Sequence, residues 1–421
     1  MNMLFRFLVM LAVFFMGVNC SQKQEPYESS NLAWPQWRGP NRDGISTETG
    51  LLKNWPPEGP KILWRTKIGE GFSGIVISHG RVYTMFGEGK GEYVGCFSVQ
   101  SGKEIWRLWI DDKFNSNKGD GPRSTPTIDG DLIFALSANG KLHAIDTKHA
   151  KKIWKHNLKK EFGGRKKAVE PWRGYATSPL VEGNLLLVEV GGVSNGKSLV
   201  AFNKTDGDVN WTSYTTAPSY ASPIAITVDG IRQVIFFPAK GLVSIAPQDG
   251  HIYWEYPWKT DYGINAATPI FIAPDKIFIS SGYNQGAVVL QLQVAENEVS
   301  VRKVWKNRVM KNHFSTSIHH KGYIYGFDNA FLKCIDANTG AEKWKHRGLG
   351  KGSLVLADSQ LIILGENGKL VLAAARSSGF DPNSSVQAVD GKCWTAPSVA
   401  NGRLYIRNQH EMVCFDLRQG S

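Results

Sequence analysis

The stretch Ile335-Asp336-Ala337-Asn338-Thr339-Gly340, followed by Trp344, is the clearest copy of a pattern that repeats along this chain of 421 residues. In each copy a short apolar run ends in a small acidic or amide turn, and in most copies a tryptophan follows a few residues later. The other copies are marked by Trp106, Trp154, Trp211, Trp254 and, in a degenerate copy, Trp305. A strand-rich repeat of about 40–50 residues is typical of the blades of a β-propeller.

The turns within each unit predict four antiparallel strands. Small residues such as Ser124-Thr125-Pro126 come first, and a strand, a Gly-centred turn (Asp129-Gly130) and an apolar second strand follow. A second turn (Asn139-Gly140) leads to the third strand, and the fourth strand carries the tryptophan. Asn-Gly and Asp-Gly suit tight hairpins because these residues tolerate the positive φ that such turns require. The sequence therefore predicts an all-β fold built from four-stranded antiparallel blades.

Counting the units gives eight, and the last unit predicts how the ring closes. Residues 397–417 supply only three strands before the chain ends, whereas Lys61-Ile62-Leu63-Trp64-Arg65-Thr66 is a tryptophan strand without the three strands that should precede it. We expect the two ends to complete one blade, which removes exposed sheet edges. The seventh unit is degenerate, and Trp394 is expected to open blade eight. Seven blades remain the alternative.

The repeated tryptophans have a structural explanation. A large apolar ring at one fixed place in each unit is most simply a wedge between neighbouring blades. Cys334 and Cys414 take equivalent places, two residues before Asp336 and Asp416. We interpret both as small buried thiols.

Two motifs carry a family resemblance. The stretch from Ile335 to Trp344 resembles the tryptophan-docking repeat of pyrroloquinoline-quinone (PQQ)-type propellers, and Trp34-Pro35-Gln36-Trp37-Arg38-Gly39-Pro40-Asn41-Arg42-Asp43-Gly44 resembles a subgroup of exported bacterial PQQ-like propellers. The resemblance covers nearly everything after residue 33. That superfamily includes quinoprotein alcohol dehydrogenases and the propeller lipoprotein of the outer-membrane β-barrel assembly machine. It implies the fold and leaves the activity open, because one fold hosts many functions.

The cysteines bear on which activity is expected. Quinoprotein dehydrogenases of this family hold PQQ and a divalent metal, usually Ca²⁺, over a disulfide between adjacent cysteines. Here Cys20, Cys96, Cys334, Cys393 and Cys414 include no adjacent pair, and no Cys-x-x-Cys-His haem attachment is present. We therefore predict no cofactor and no metal, with PQQ and Ca²⁺ as the alternative.

Any small-molecule site is expected at the mouth of the axis, where the innermost strands begin. Two arginines, a lysine, a histidine and aromatic rings near those strand starts would suit a planar anionic ligand. The alternative is that they line a wet channel and bind only solvent. The candidate residues are Arg123, Arg173, Tyr175, Tyr220, Asn265, His313, Lys351 and Trp394.

Positive charge is concentrated in one segment. Between Lys148 and Arg173 there are ten lysines and arginines but only two glutamates, in a chain of formal net charge +12. We name this segment the basic lobe. For an exported protein the expected partners are anionic lipid headgroups, lipopolysaccharide or an acidic protein surface, with a solubilising loop as the alternative. We expect no nucleic-acid partner.

The N-terminal residues predict export. Arg6 and the apolar run Leu8 to Met16 form a signal peptide over residues 1–19 that is too short to span a bilayer. Cys20 follows an imperfect lipoprotein cleavage box, so we expect lipidation there and a polar tether over residues 20–33. Ser21 carries no inner-membrane retention signal. We predict a periplasm-facing outer-membrane lipoprotein, or a soluble periplasmic protein if Cys20 is not lipidated.

Two functional hypotheses follow. The first is a non-catalytic binding or scaffold propeller for protein or envelope partners, and the alternative is a PQQ-dependent alcohol dehydrogenase that passes electrons to an external acceptor. The predicted domain order is completed by a lead-in segment over residues 34–60 and the propeller over residues 61–421.

Overall fold

The computed structural model describes residues 33–163, 173–192, 197–296 and 298–420. The expected signal peptide, Cys20, nearly all of the tether and residues 164–172 of the basic lobe lie outside the described residues. The described residues form eight four-stranded antiparallel blades, in seven of which the four strands are consecutive in the sequence, and the eighth combines strands from both ends of the chain. The prediction of an eight-bladed β-propeller is confirmed, and the seven-blade alternative is wrong.

The first four blades follow one another directly along the chain. Their strands are Val76–Ser78, Arg81–Glu88, Gly91–Ser98 and Glu104–Asp112 in blade 1; Thr127–Asp129, Leu132–Leu136, Lys141–Asp146 and Lys151–Asn157 in blade 2; Leu180–Glu182, Leu185–Glu189, Leu199–Asn203 and Val209–Ser213 in blade 3; and Ile224–Val228, Ile231–Phe236, Gly241–Ile245 and Ile252–Pro257 in blade 4.

The remaining blades continue the order and return to the start of the chain. Their strands are Ile270–Ile272, Lys276–Ser281, Gly286–Ala295 and Glu298–Asn307 in blade 5; Ile318–His320, Tyr323–Asp328, Phe331–Asp336 and Glu342–Arg347 in blade 6; Ser353–Ala357, Gln360–Leu364, Lys369–Ala374 and Pro382–Gln387 in blade 7, with the short parallel strand Ile45–Ser46 added; and Ser398–Ala400, Arg403–Arg407, Glu411–Asp416 and Ile62–Lys67 in blade 8.

Helical structure in the described residues is limited to the α-helix Leu158–Glu161 and the 3-10 turn Asp261–Gly263. Neither is long and apolar enough to cross a membrane. The core consists of apolar clusters, and most of these clusters lie between neighbouring blades.

Blade 8 closes the ring in the predicted way. Its outer strand Ile62–Lys67 pairs antiparallel with Glu411–Asp416, so Trp64 lies opposite Cys414. The two ends of the chain therefore share one sheet. Trp394 precedes the first strand of this blade, as predicted.

Small hydroxyl residues ahead of the first strands join successive blades. Thr125 Oγ1 accepts a hydrogen bond from the Gly74 amide at 2.8 Å, and the Thr125 amide donates to Ser178 Oγ at 3.0 Å. The Ser178 amide donates in turn to Ser222 Oγ at 2.9 Å. Backbone amides that would otherwise be buried without acceptors are thereby satisfied around the axis.

The tryptophans are wedges between blades, as predicted. The indole N–H groups of Trp64, Trp211 and Trp305 each donate to a backbone carbonyl of the next blade at 2.9 Å. Trp154 and Trp344 do the same at 3.1 and 2.8 Å. Several of these rings cover the glycine of the next blade's turn, where a Cβ atom would lie only 2.5–2.8 Å from the indole.

Blade 7 replaces its tryptophan. Ser384 occupies the register position that tryptophan holds in the other outer strands. Trp55 of the lead-in segment donates its amide to Ser384 Oγ at 2.7 Å and is buried in the apolar cluster between blades 7 and 8. A ring from outside the repeat thus fills the place that the repeat leaves open.

The lead-in segment fills the axis of the ring. The buried Arg42 guanidinium donates to the carbonyls of Ser178, Pro179 and Pro223, which belong to blades 3 and 4. Arg38, also buried, donates to the carbonyls of Thr316 and Ser317 in blade 6. The axis behind the predicted mouth residues is therefore occupied by side chains of the lead-in segment.

Candidate binding cavity at the mouth of the axis

A cavity of about 170 Å³ lies on the axis, on the face where the first strands of the blades begin. We call this face the mouth. Trp37 of the lead-in segment lines the cavity, and its indole N–H donates to Thr268 Oγ1 at 3.0 Å. The neighbouring Arg38 and Arg42 fill the axis, so Trp37 forms a floor on the axial side. A cavity closed on one side and open on the other can hold a ligand.

One register position supplies most of the wall. Residues placed four positions before the first strand of a blade line the cavity in seven of the eight blades, and only blade 7, with Leu349, departs from this rule. These residues are Phe72, Arg123, Ala176, Tyr220, Ala266, Phe314 and Trp394.

The aromatic side chains form a continuous arc. Phe72 stacks on Trp394 with ring centroids 5.4 Å apart, and Trp394 contacts Phe314 at 4.9 Å. The arc continues through His313 to Tyr283, with centroid distances of 5.8 and 5.4 Å. Flat apolar surfaces of this kind favour a planar ligand that can stack on them.

The charged side chains that line the cavity are all cationic. Arg123, Arg173 and Lys118 are among the lining residues, and no aspartate or glutamate of the described residues is. The Arg123 guanidinium lies 5.5 Å from the centroid of Phe72 and 4.7 Å from that of Phe114, and it donates to the Gly119 and Gly121 carbonyls. These contacts hold the cation in place at the wall. Burial lowers the pKa of Arg123 to about 10, which leaves it charged at neutral pH.

Buried arginines beneath and beside the mouth strengthen its positive field. Arg38, Arg42 and Arg407 hydrogen-bond mainly to backbone carbonyls, and none of them has a salt bridge to a carboxylate among the described residues. Burial lowers their pKa values to about 10, 9 and 9, so all three remain protonated at neutral pH. Cations in a poorly solvated region attract an anion more strongly than cations in water do.

The nearest carboxylates are already engaged. Glu92 is buried, accepts hydrogen bonds from the Phe114 and Ala138 amides, and has its pKa raised to about 7 by burial. Glu366 accepts from the Trp394 indole N–H at 2.9 Å and from the Lys351 amide at 3.0 Å. These acids position the wall and leave the cavity surface cationic.

Of the eight predicted residues, five line the cavity: Arg123, Arg173, Tyr220, His313 and Trp394. Tyr175 is buried in the cluster between blades 2 and 3 and donates to the Val190 carbonyl. Asn265 is buried and bonded to Pro238 and Ser281. Lys351 lies outside the lining. That these residues bind a ligand stays a prediction.

His313 is neutral at physiological pH. Burial, and then the nearby charges of Lys351 and Arg173, lower its pKa to about 4. Its Nδ1 atom is buried and has no hydrogen-bond partner among the described residues. A neutral imidazole offers a ligand a flat stacking surface and adds no charge to the cavity.

The residues at the mouth do not fit a bound Ca²⁺ ion. Calcium requires six to eight oxygen ligands, usually with several carboxylates. In residues 33–163, 173–192, 197–296 and 298–420, the lining offers the hydroxyls of Ser222 and Tyr220 but no carboxylate, and three cations face the same space. In the described part of the chain, no group of three or more His, Cys, Asp or Glu residues is placed to hold a metal. We therefore derive no reaction step through a metal or a quinone.

A family model described as outer membrane protein assembly factor BamB matches residues 90–346, which is more than half of the chain. The chain belongs to this PQQ-like propeller family. No curated protein matches the sequence.

Solved structures of this propeller type include both enzymes and an assembly factor. BamB from Moraxella catarrhalis is 14% identical, with a TM-score of 0.61, and the match covers 86% of this chain and 98% of that chain. A quinohemoprotein alcohol dehydrogenase from Pseudomonas putida is 11% identical, with a TM-score of 0.62 and coverage of 92% and 81%. A europium-containing methanol dehydrogenase is 11% identical, with a TM-score of 0.64 and coverage of 90% and 89%. At these identities the likeness establishes the fold alone.

Proposed function

We propose that this member of the BamB-like propeller family is a non-catalytic binding module of the cell envelope, and that its mouth holds a planar anionic group. The observation that carries the proposal is a cavity walled by stacked aromatic rings and by arginines, to which the described part of the chain contributes no carboxylate. The family membership supports a binding or scaffold propeller.

Each part of the wall has a matching ligand feature. A planar ring can stack against Trp394, Phe314 or the Trp37 floor, and each aromatic pair contributes about 0.5–1.5 kcal/mol beyond its buried area. Carboxylates on that ring can accept hydrogen bonds from the guanidiniums of Arg123 and Arg173, and hydrogen bonds to charged groups contribute about 1.5–3 kcal/mol. A cationic ligand would be repelled by the same groups.

The proposed location and partners follow from the sequence and the family. We propose export by the signal peptide, lipidation of Cys20 and a periplasm-facing position on the outer membrane. The family description, outer membrane protein assembly factor, supports envelope proteins as partners. The basic lobe is a second proposed contact region, for acidic proteins or anionic lipid.

The alternative function is a PQQ-dependent dehydrogenase. The same cavity would accept the planar, multiply carboxylated quinone, but the lining lacks the oxygen ligands for the accompanying metal. Binding without turnover is therefore the function that the residues support best.

The experiment is a titration with PQQ, used as a planar anionic probe, with and without Ca²⁺. Trp37 and Trp394 both line the cavity, so binding should quench tryptophan fluorescence. We expect quenching that does not require Ca²⁺ and that is weakened about tenfold by Arg173→Gln. The control Arg347→Gln removes an exposed arginine that stacks on Phe331 in blade 6, and it should leave the quenching unchanged.

Three outcomes contradict the proposal. They are an absence of quenching by PQQ in either condition, equal effects of Arg173→Gln and Arg347→Gln, and reduction of an acceptor dye when Ca²⁺ and a primary alcohol are added. The last of these would establish the dehydrogenase alternative.

A further inference from the structure

The face opposite the mouth, which we call the far face, is defined by strand direction. The four main strands of every blade are antiparallel, so a first strand that begins at the mouth makes the fourth, outer strand begin at the far face. The residues just before each outer-strand tryptophan therefore lie at the outer rim of the far face. We compare these positions blade by blade.

Exposed aliphatic side chains occur at this rim in consecutive blades only. Ile62 in blade 8 is 48% exposed, Ile105 in blade 1 is 49% exposed and Ile153 in blade 2 is 46% exposed. Each lies one or two residues before the tryptophan of its outer strand. Val209 in blade 3 is similar at 45%, whereas the two described large apolar residues exposed elsewhere, Trp109 and Tyr262, lie away from this rim. One exposed aliphatic side chain thus recurs near the start of the outer strand in each of these neighbouring blades.

Lysines accompany these aliphatic residues in three blades. Lys61, Lys103 and Lys151 each lie three residues before the outer-strand tryptophan of blades 8, 1 and 2, and all are exposed. No salt bridge forms between these lysines and any carboxylate of the described residues. The equivalent residue in blade 3 is Asp208, beside Val209. The combined apolar and cationic surface therefore ends at blade 2.

The other blades lack this combination. At the lysine position, blades 4 to 7 carry His251, Arg302, Ala341 and Asp381. Arg302 is engaged with Gln291 Oε1 at 2.5 Å. The surface formed by Ile62, Ile105, Ile153 and their three lysines, which we call the far rim, is thus confined to one side of the ring.

The later part of the lead-in segment lies on the far face. Glu48 accepts hydrogen bonds from the Asn401 and Gly402 amides, in the turn between the first and second strands of blade 8. Lys53 pairs with Asp358 in the corresponding turn of blade 7 at 2.5 Å. The far face beside the far rim is therefore partly covered by the chain itself.

We propose that the far rim of blades 8, 1 and 2 rests on the surface of a bilayer that contains anionic phospholipid. Lysines attract anionic headgroups, and the adjacent isoleucines can enter the boundary between headgroups and acyl chains. Docking by this surface directs the mouth cavity away from the membrane, toward its ligand. The inference rests on the proposed envelope location and adds an orientation to it.

The test measures binding of the full chain to lipid vesicles. The chain carries Cys20→Ser, so that a lipid attached to Cys20 cannot account for the binding. We expect sedimentation with vesicles of phosphatidylethanolamine and phosphatidylglycerol, and none with phosphatidylcholine vesicles. Lys103→Gln with Lys151→Gln should weaken the partition about 30-fold, since each lysine near such a surface contributes about 1 kcal/mol. Ile105→Ser with Ile153→Ser should weaken it at low and high salt alike.

The controls make the same kinds of substitution in outer strands that lie outside the far rim. Arg302→Gln with Lys345→Gln removes two cations from the outer strands of blades 5 and 6, and Val209→Ser removes an exposed aliphatic side chain beside Asp208. Both controls should bind vesicles as the parent does. Near-ultraviolet circular dichroism and PQQ quenching should be unchanged in all variants. Loss of vesicle binding with normal PQQ quenching would then concern the far rim alone and leave the proposed function of the mouth untouched.

The proposal is overturned if the parent does not bind anionic vesicles at low salt, or if the controls lose as much binding as the far-rim variants. It is also overturned if the same lysines and isoleucines prove necessary for capture of a purified envelope protein while vesicle binding is absent.

Discussion

The indole N–H of Trp64 donates a hydrogen bond of 2.9 Å to the carbonyl of Val99, and this contact joins the last blade to the first. Trp64 belongs to the strand that completes blade 8, whereas Val99 follows the third strand of blade 1. The same ring covers Gly102, where a Cβ atom would lie 2.4 Å from Thr66 Oγ1 and 2.5 Å from the indole. Ring closure therefore depends on a contact that tolerates no added atom.

Gly102→Ala should lower the free energy of unfolding by about 2–4 kcal/mol, because alanine at φ +67° is strained and its methyl group overlaps the indole. Gly130→Ala is the matched control, since Gly130 has φ +55° but no atom within 4 Å of the added methyl. It should cost only about 1 kcal/mol. Urea denaturation of both variants measures the difference, and equal losses would show that the closure contact is not tight.

Arg42→Met should destabilise the propeller by about 2–4 kcal/mol, because the carbonyls of Ser178, Pro179 and Pro223 lose their shared donor inside the axis. The control Arg232→Met removes a half-exposed arginine paired with Glu182 and should cost less than about 1 kcal/mol. Thermal or urea unfolding distinguishes them. If both variants lose only a small and similar amount of unfolding free energy, Arg42 does not hold the lead-in segment in the axis.

His143→Gln should reduce the loss of stability in acid. Burial lowers the pKa of His143 from 6.5 to about 4, so the unfolded chain binds more protons than the folded one between these pH values. This imidazole therefore contributes stability above pH 6.5 that is lost as the pH falls toward 4, up to about 3 kcal/mol. Glutamine can still donate to the Ile110 carbonyl, to which His143 Nε2 is bonded at 2.9 Å.

The measurement is the free energy of unfolding at pH 7 and pH 4.5 for parent and variant. The raised pKa of Glu92 acts in the opposite direction in both proteins, so only the difference between them reports on His143. An identical pH dependence would refute the assignment. His320→Gln, at a half-exposed position, is the control and should change the pH dependence less.

The four cysteines of the described residues should not react with a thiol reagent in the native protein. Cys96, Cys334, Cys393 and Cys414 are free and buried, and burial raises their pKa values to about 11 for Cys96 and about 12 for the others. In protein carrying Cys20→Ser, a disulfide-exchange dye at pH 8 should release colour only after guanidinium is added. Prompt release of one equivalent in native protein would contradict this packing.

The blade count was predictable because its signals are local. Turn residues such as Asp129-Gly130 and the tryptophans recur at a nearly constant spacing, and each needs only its own hairpin or the next blade to be understood. The closure of blade 8 by Ile62–Lys67 was also predictable, because the start of the propeller sequence has one extra strand and its end has a blade with one strand missing.

The axial arrangement was not predictable from local pattern. Arg42 reaches acceptors 136 and 181 residues away, and the lead-in segment has no period from which such contacts could be read. The replacement of a blade 7 tryptophan by Trp55 likewise joins residues that are 329 positions apart.

The mouth was predicted in part. Arg123, Tyr220 and Trp394 were found because residues just before a first strand converge on the axis. Counting back four residues from every first strand would also have found Phe72 and Phe314. Trp37 gave no such signal because it belongs to the lead-in segment, and Tyr283 lies in a turn between the second and third strands of blade 5. Tyr175 was misplaced because its local backbone turns the ring into the core.

The pairing of Ile62–Lys67 with Glu411–Asp416 imposes an order on biogenesis. The first of these strands precedes blades 1 to 7 in the chain and its partner follows them, so blade 8 needs both ends of the propeller sequence. A chain truncated after blade 7 would leave Ile62–Lys67 without its partner strand and the ring with an open sheet edge.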